Sequence, residues 1–526
     1  MSLQNGKKND TAVLLNAAII CVIVLLGIFF FANAMTKELG HDEHMYCTAG
    51  FLTAQGKLIY RDFSYVAQLP YHPLVLAAIY KTSGKSYYLL AGRVFSVACE
   101  IGILICIAGI SRSVLKEYPK TAAGFAIAAM LLYSMNPFVI YASGFAWNHS
   151  MVILCVLICL WLYTNFDIEK TSFWRLFSMG AILTLATFTR PTTALIYAVF
   201  AVAILLAAPA RLKKSKATAL PFMLGTFAAA IWPIAVMIKA PEALVLNVIR
   251  IPALNATFLR EAGWIFDKTQ LTITALLNPA YVVLIILLGY VAFNDFLLKR
   301  FVPISGNPKK RLFYSMAAAF IVIAFIPPTM WLQYWAAPAA FIIVSLAYPL
   351  KTLCDAASAN VRTEKRLVIA IILMVTAALL SIYVSSPSIA FDVINSDNWI
   401  PLSIHKISKD INKKIVADGP ILTLSPLYAI EGGGDIYPQF SAGPFVYRIA
   451  DKLSAEQKNF VHAAGTFDLP QIFDSNPPAA VIIGDEPQSL EDPIFEQVTK
   501  TPLEWEKKIY TETGPVVYFR NRANEE

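Results

Sequence analysis

HDEHMYCTAGFLTAQGKLIYRDFSYVAQLPYHP, residues 41–73, follows the first long apolar run of the chain and decides how the rest is read. Asp42 and Glu43 sit between His41 and His44, Tyr60-Arg61-Asp62-Phe63 comes some twenty residues later, and Gln68, Pro70, Tyr71, His72 and Pro73 close the stretch. Connections between helices are usually short. A polar and aromatic segment of this length between two apolar runs therefore predicts a loop with work of its own.

The apolar runs on either side set the fold class. Of 526 residues 57% are hydrophobic and 15% charged, with mean hydropathy +0.58, whereas soluble domains carry about a quarter charged residues. Runs of about twenty apolar residues cross the hydrocarbon core as helices. They fall near 12–34, 87–110, 121–137, 148–164, 176–189, 192–208, 220–239, 273–296, 313–327, 331–350 and 367–386. The chain reads as a polytopic α-helical membrane protein of about eleven transmembrane helices.

Charge orients it. Lys7 and Lys8, Arg112 to Lys120, Lys170 and Arg175, Arg211 to Lys216, Lys299 to Arg311 and Lys351 to Arg366 all fall on one side of an alternating scheme. Positively charged loops stay in the cytoplasm. The N-terminus is therefore expected inside the cell, with 35–86, 240–272 and everything beyond about 387 outside. The net charge of +8 is accounted for by these loops, which excludes a nucleic-acid-binding face. No small-residue cleavage site follows the first run, so it is expected as an uncleaved helix. The seven cysteines are scattered, without metal spacing or an evident disulfide mate.

Two domains are expected. Residues 1–386 form the membrane part. Residues 387–526 have ordinary charge density and strand-like runs at 420–424, 479–483 and 515–519 with helical stretches between, which fits a small extracytoplasmic α/β domain. Matching broken helices in two halves, the mark of an inverted-repeat transporter, are not seen.

Several polar residues stand out because lipid tolerates them poorly. Asp42 and Glu43, just beyond a helix end, suit a general base or a sugar or metal ligand, or simply the start of an amphipathic helix. A divalent metal is left open, since two histidines three apart around two carboxylates specify none. Arg61 and Asp62 read either as a phosphate clamp with its orienting acid or as an exposed ion pair. Arg93 and Glu100 lie seven apart on one face of the second span, where charge is expensive. Arg93, near the outer end, is expected to reach a substrate phosphate or to serve as a buried partner. Arg190, in Thr189-Arg190-Pro191, breaks an apolar stretch too long for one span, and proline disfavours helix at the preceding residue. Such a bend belongs in protein or beside a cavity, and its arginine suits a lipid phosphate. Asn148-His149, Arg260 in the 240–272 loop and Gln333-Tyr334 project to the same outer side as Asp42.

Five of these features together resemble the GT-C superfamily of membrane glycosyltransferases, in its branch of protein O-mannosyltransferases and lipid A aminoarabinose transferases. They are Asp42-Glu43 after helix one, Tyr60-Arg61-Asp62 running on to Pro70 and Pro73, Arg93, the Arg190-Pro191 break, and Gln333-Tyr334 before Pro338. The resemblance covers about residues 12–350. It implies a polyprenyl-phosphate sugar donor, a glycolipid, polysaccharide or protein acceptor, and transfer at the outer face of the cytoplasmic membrane. It implies Asp42 as the catalytic acid residue, Glu43 as its neighbour, Arg190 as lipid-phosphate ligand and Arg61 near a basic residue with the same duty. A second acidic residue expected near helix four is replaced by Asn148-His149, which leaves His149 as a candidate proton acceptor. A flippase for lipid-linked sugars and a polyprenyl-diphosphate glycan ligase are the alternatives.

Overall fold

A computed structural model describes residues 2–84, 86–165, 172–206, 212–264, 267–298, 307–357, 361–385, 392–510 and 514–521. Lys170, Arg211, Lys299 and Arg300 of the basic loops, residues 207–208 and 386 at the ends of two expected spans, and 387–391 and 522–526 of the tail lie outside them.

The eleven apolar runs are mainly helical in their described parts, with breaks at Met135 and Asn136 and at Asn278. The first ten helices are α1 (Ser2–Thr36), α2 (His41–Ala54), α3 (Tyr71–Ser83), α4 (Tyr88–Val114), α5 (Pro119–Ser134), α6 (Pro137–Ala142), α7 (His149–Thr164), α8 (Phe173–Thr187), α9 (Ala194–Leu206) and α10 (Leu212–Ile238). The helices Pro279–Leu298, Pro308–Phe325, Leu332–Ala357 and Val361–Ser385 complete the bundle. Among the described residues seven helices are long and apolar enough to cross a membrane, and α7, α8 and Pro191–Leu206 are shorter apolar helices. The chain is a multi-pass membrane protein. One of the seven, Pro241–Glu261, falls in the stretch expected as an outer loop. Its last turns bond to the C-terminal region through Asn255 and Phe445, which accounts for polar residues on an otherwise apolar helix.

Helix packing follows the rules of lipid, where small residues let backbones close on each other. At Gly180 in α8 and Gly225 in α10, an added Cβ would lie 2.0 Å from the carbonyl oxygens of Phe222 and Phe177 respectively. The two helices therefore touch backbone to backbone. Large apolar side chains such as Trp174 and Ile231 remain exposed on the same helices, as they do where the surrounding medium is itself apolar.

The C-terminal region carries a four-stranded sheet of order β1-β2-β4-β3. The strands are β1 (Ile421–Thr423), β2 (Ala480–Ile483), β3 (Trp505–Ile509) and β4 (Val516–Arg520). β1 and β2 are parallel and the other pairs antiparallel. Alternate residues of a strand face opposite ways. Ala480, Ile482, Val517 and Phe519 join Cys47 and Phe51 of α2, Leu76 of α3 and Tyr88 of α4 in one apolar cluster. Val481 and Tyr518 pack instead with Leu490 and Ile494 on the other face. The sheet thus shares a core with the helices α2–α4, and that shared core presses it against the helix bearing Asp42.

Candidate active site

Construction of the site begins behind it. Glu43 accepts the Gly40 amide at 2.9 Å and the Ala146 amide at 2.6 Å, and both its oxygens face Arg93, from Nε at 2.9 Å and Nη2 at 2.6 Å. The other Arg93 N–H groups donate to the carbonyls of Ala34, Lys37 and Glu38. Five donors meet five acceptors, and both side chains are fully buried. Arg93 has no N–H left for a phosphate, so its expected reach to substrate is corrected. It ties α4 to the end of α1 and the start of α2. Glu43 is likewise spent on structure. Glu100 is no partner of Arg93, since it accepts from Tyr133 and Ser150.

With Glu43 turned inward, Asp42 is turned about 100° round the helix and lines a cavity of about 780 Å³. Burial raises its carboxyl from 3.8 to about 6, against the lowering influence of His41 and Arg448. His149, Arg190 and Tyr334 line the same cavity. Arg190 has extended backbone before Pro191 (φ −140°, ψ 119°), as proline requires. Its guanidinium lies 4.7 Å from the centre of the Tyr334 ring and its Nη1 lies 3.1 Å from His149 Nδ1. Arginine only donates. Nδ1 is therefore the unprotonated nitrogen and Nε2 carries hydrogen, so His149 offers the cavity a donor and does not serve as a proton acceptor. A narrow crevice, with Val152, Phe320, Ile323 and Ala337 in its wall, leads from His149 and Arg190 in among the membrane helices.

The loop before α3 forms one side of the cavity with Val66, Ala67 and Gln68. Asn247, on a turn of π-helix at Leu246–Arg250, accepts the Tyr65 amide on its side-chain oxygen and the Ala67 amide on its carbonyl. Ala67 is held at φ 60°, a conformation that a non-glycine residue keeps only where its surroundings enforce it. Asn148 donates to the Gln68 side chain at 2.7 Å, which places it as a prop for the loop.

Other expected residues are not brought to the cavity. Tyr60 is buried beneath the loop and donates to the Gln68 carbonyl. Arg61 pairs with Asp62 at 2.7 Å on the exposed outside, and the same bond holds the Asp62 carboxyl low. Arg260 points to solvent, while Asn255 and Leu259 of its helix line the cavity. These corrections have one cause: polar residues of a loop can support its shape from behind as readily as they can face a ligand.

Four charged residues at the cavity were not anticipated: Lys37 and Glu38 just past the end of α1, and two from the C-terminal region. Glu486 and Arg448, both from the C-terminal region, stand beside Asp42. Glu486 takes His41 Nδ1 at 3.1 Å, which raises the imidazole from 6.5 to about 9. Its neighbour Asp485 meets His44 Nε2 at 2.9 Å and Ser425 Oγ at 2.8 Å. Both acids sit in the turn after β2, where Glu491 accepts the amides of Gly484 and Glu486. Arg448 donates to Asn255, with Phe445 5.1 Å away, and burial lowers it to about 10. An acidic pair between glycine and proline directly after a strand-like run was the available signal. Among the described residues no group of three or more histidines, cysteines or acids is placed to hold a metal ion.

No protein-family model matches the sequence, and no curated protein matches it significantly. Solved structures do resemble the fold. ArnT from Cupriavidus metallidurans bound to undecaprenyl phosphate superposes with a TM-score of 0.60 at 14% identity, over 95% of this chain and 97% of that one. The oligosaccharyltransferase AglB from Archaeoglobus fulgidus, in complex with an inhibitory peptide and a dolichol-phosphate, gives 0.51 at 12% identity, over 96% and 74%. At these identities the likeness is one of fold.

Proposed function

We propose that this chain, which shares its fold with ArnT and AglB, is a glycosyltransferase of the GT-C kind that moves a sugar from a polyprenyl-phosphate donor to an acceptor hydroxyl. The observation that carries the proposal is that Asp42 and Arg190 line one cavity, and that an apolar crevice runs on from Arg190. A carboxylate and an arginine with no carboxylate partner among the described residues, both lining one cavity, suit a displacement between them. The bundle is taken to have about eleven spans with its N-terminus in the cytoplasm. The cavity and residues 387–526, taken as a small α/β domain, then face outward.

The acceptor O–H proton goes to Asp42 as the oxygen forms its bond to the anomeric carbon. The bond from that carbon to the phosphate oxygen breaks, and its electron pair leaves with the lipid phosphate, which the Arg190 guanidinium and the His149 Nε2–H receive. Tyr334 fixes the guanidinium plane by stacking. Arg93 with Glu43 keeps Asp42 in place.

Membranes supplied with radiolabelled polyprenyl-phosphate sugars test this. Label should pass to an acceptor with the parent, Asp42→Asn should abolish transfer, and Arg190→Ala should raise the donor concentration needed. Transfer indifferent to both changes removes these roles. Movement of lipid-linked sugar between leaflets without transfer would make the chain a flippase, and release of a diphosphate would make it a glycan ligase.

A further inference from the structure

The part of the cavity beside Asp42 is built in part by the C-terminal region, and its chemistry differs from that around Arg190. Glu486 has 3% of its side chain exposed, and its position is fixed by the Glu491 carboxylate beneath the turn. Gly484 adopts φ 102° there, a left-handed turn that a side chain would strain. β1 and β2 run parallel, and the turn leaves the carboxyl end of β2, where open α/β sheets place their ligands. Arg448 comes from a different helix, Pro444–Ala450.

Charge beside Asp42 is nearly balanced. His41 is bonded to Glu486, and Arg448 is under the influence of both Glu486 and Asp42. A phosphorylated or carboxylated ligand would meet two carboxylates here. Trp264, Trp331 and Phe445 line the same cavity, and the Trp331 N–H is already given to Thr329. Carboxylate and guanidinium together receive and donate to paired hydroxyls, while flat rings cover the C–H face of a pyranose. That combination recognises an uncharged sugar.

We propose that the turn Gly484–Pro487, Arg448 and the two tryptophans form the acceptor subsite, and that the acceptor presents an uncharged sugar ring whose hydroxyls Glu486 and Arg448 hold beside Asp42. This rests on the transferase reading and adds the class of acceptor to it. It also supplies from the C-terminal region the second acidic residue that Asn148-His149 lacks.

The test uses the full chain in lipid nanodiscs and two kinds of probe. Binding of p-nitrophenyl glucoside, galactoside and mannoside, and of the matching glucuronide, is followed by saturation-transfer NMR. Binding of undecaprenyl phosphate is followed separately. At least one neutral glycoside should bind, with the glucuronide tenfold weaker or worse. Glu486→Gln and Trp331→Ala should each weaken the glycoside tenfold or more and leave undecaprenyl phosphate within twofold, which also shows that they fold. Arg190→Ala should do the reverse. If the glucuronide binds better, if no glycoside binds, or if Glu486→Gln spares the glycoside or weakens both ligands alike, the acceptor subsite is wrong and the transferase reading stands. Failure of the parent to bind undecaprenyl phosphate removes both.

Discussion

Glu43 and Arg93, 50 residues apart in sequence, lock together at 2.6 Å with no exposure of either side chain. Removing one member leaves the other charged, buried and alone, which costs about 3–5 kcal/mol. Glu43→Gln and Arg93→Met should each lower the unfolding temperature clearly in detergent. Their residual activity should track the fraction folded, whereas a direct role in chemistry would remove activity from stable protein.

Asp42 should behave in the opposite way. Its folded carboxyl titrates near 6 rather than at 3.8 because burial opposes its charge. An acid raised on folding favours the native state at low pH, and that contribution is lost as pH rises from about 4 to 6. Above pH 6 Asp42→Asn should therefore stabilise the protein, by on the order of 1–2 kcal/mol, while abolishing transfer. In the parent, transfer should rise with pH through about 6 as the base form fills.

His41 and Glu486 join α2 to the turn after β2. The imidazole is raised to about 9 by this bond. Its contribution is complete below the ordinary 6.5 and fades as pH rises through 9. Limited proteolysis near residues 484–487 should be slow at pH 6 and faster above pH 9, and His41→Ala should show the faster rate at both. Equal rates in parent and variant at pH 6 would show that the contact holds nothing.

Arg190→Lys is not a mild change. Lysine keeps the charge but loses the flat group that stacks on Tyr334 and the fork that binds two phosphate oxygens. The donor concentration for half-maximal transfer should rise about tenfold or more, with a smaller change when donor saturates. Titration with labelled donor measures it.

Gly180→Ala inserts a methyl group 2.0 Å from the Phe222 carbonyl oxygen. Either α8 or α10 must move, at a cost of about 1–3 kcal/mol. Gly124, where an added Cβ meets nothing within 4 Å, is the control. Comparing the two alanine variants by thermal unfolding separates close approach from helix propensity.

Whether a feature could be read from the sequence followed its range. Apolar runs gave the helices, and Ile421–Thr423, Ala480–Ile483 and Val516–Arg520 were legible as strands because their burial is nearly continuous. β3 was not, because Glu506, Lys507 and Lys508 suit an exposed edge and dilute its apolar signal. Asp42, His149, Arg190 and Tyr334 were legible as one group through the side of the bundle they share. Arg93 and Glu100 share a helix face as their spacing says, yet each finds its partners on other elements, which spacing within a helix cannot show. Glu486 and Arg448 were missed because their part in the site exists only after a shared core brings the sheet onto α2.

His41 and Glu486 are separated by 445 residues, so the wall of the cavity beside Asp42 includes residues that are synthesised long after Asp42 itself. A nascent chain whose helices are already in the membrane has Asp42 and Arg190 but an open pocket. A chain stalled or clipped before residue 486 therefore lacks the carboxylate that holds His41 beside Asp42. Such a product occupies membrane without forming the finished site.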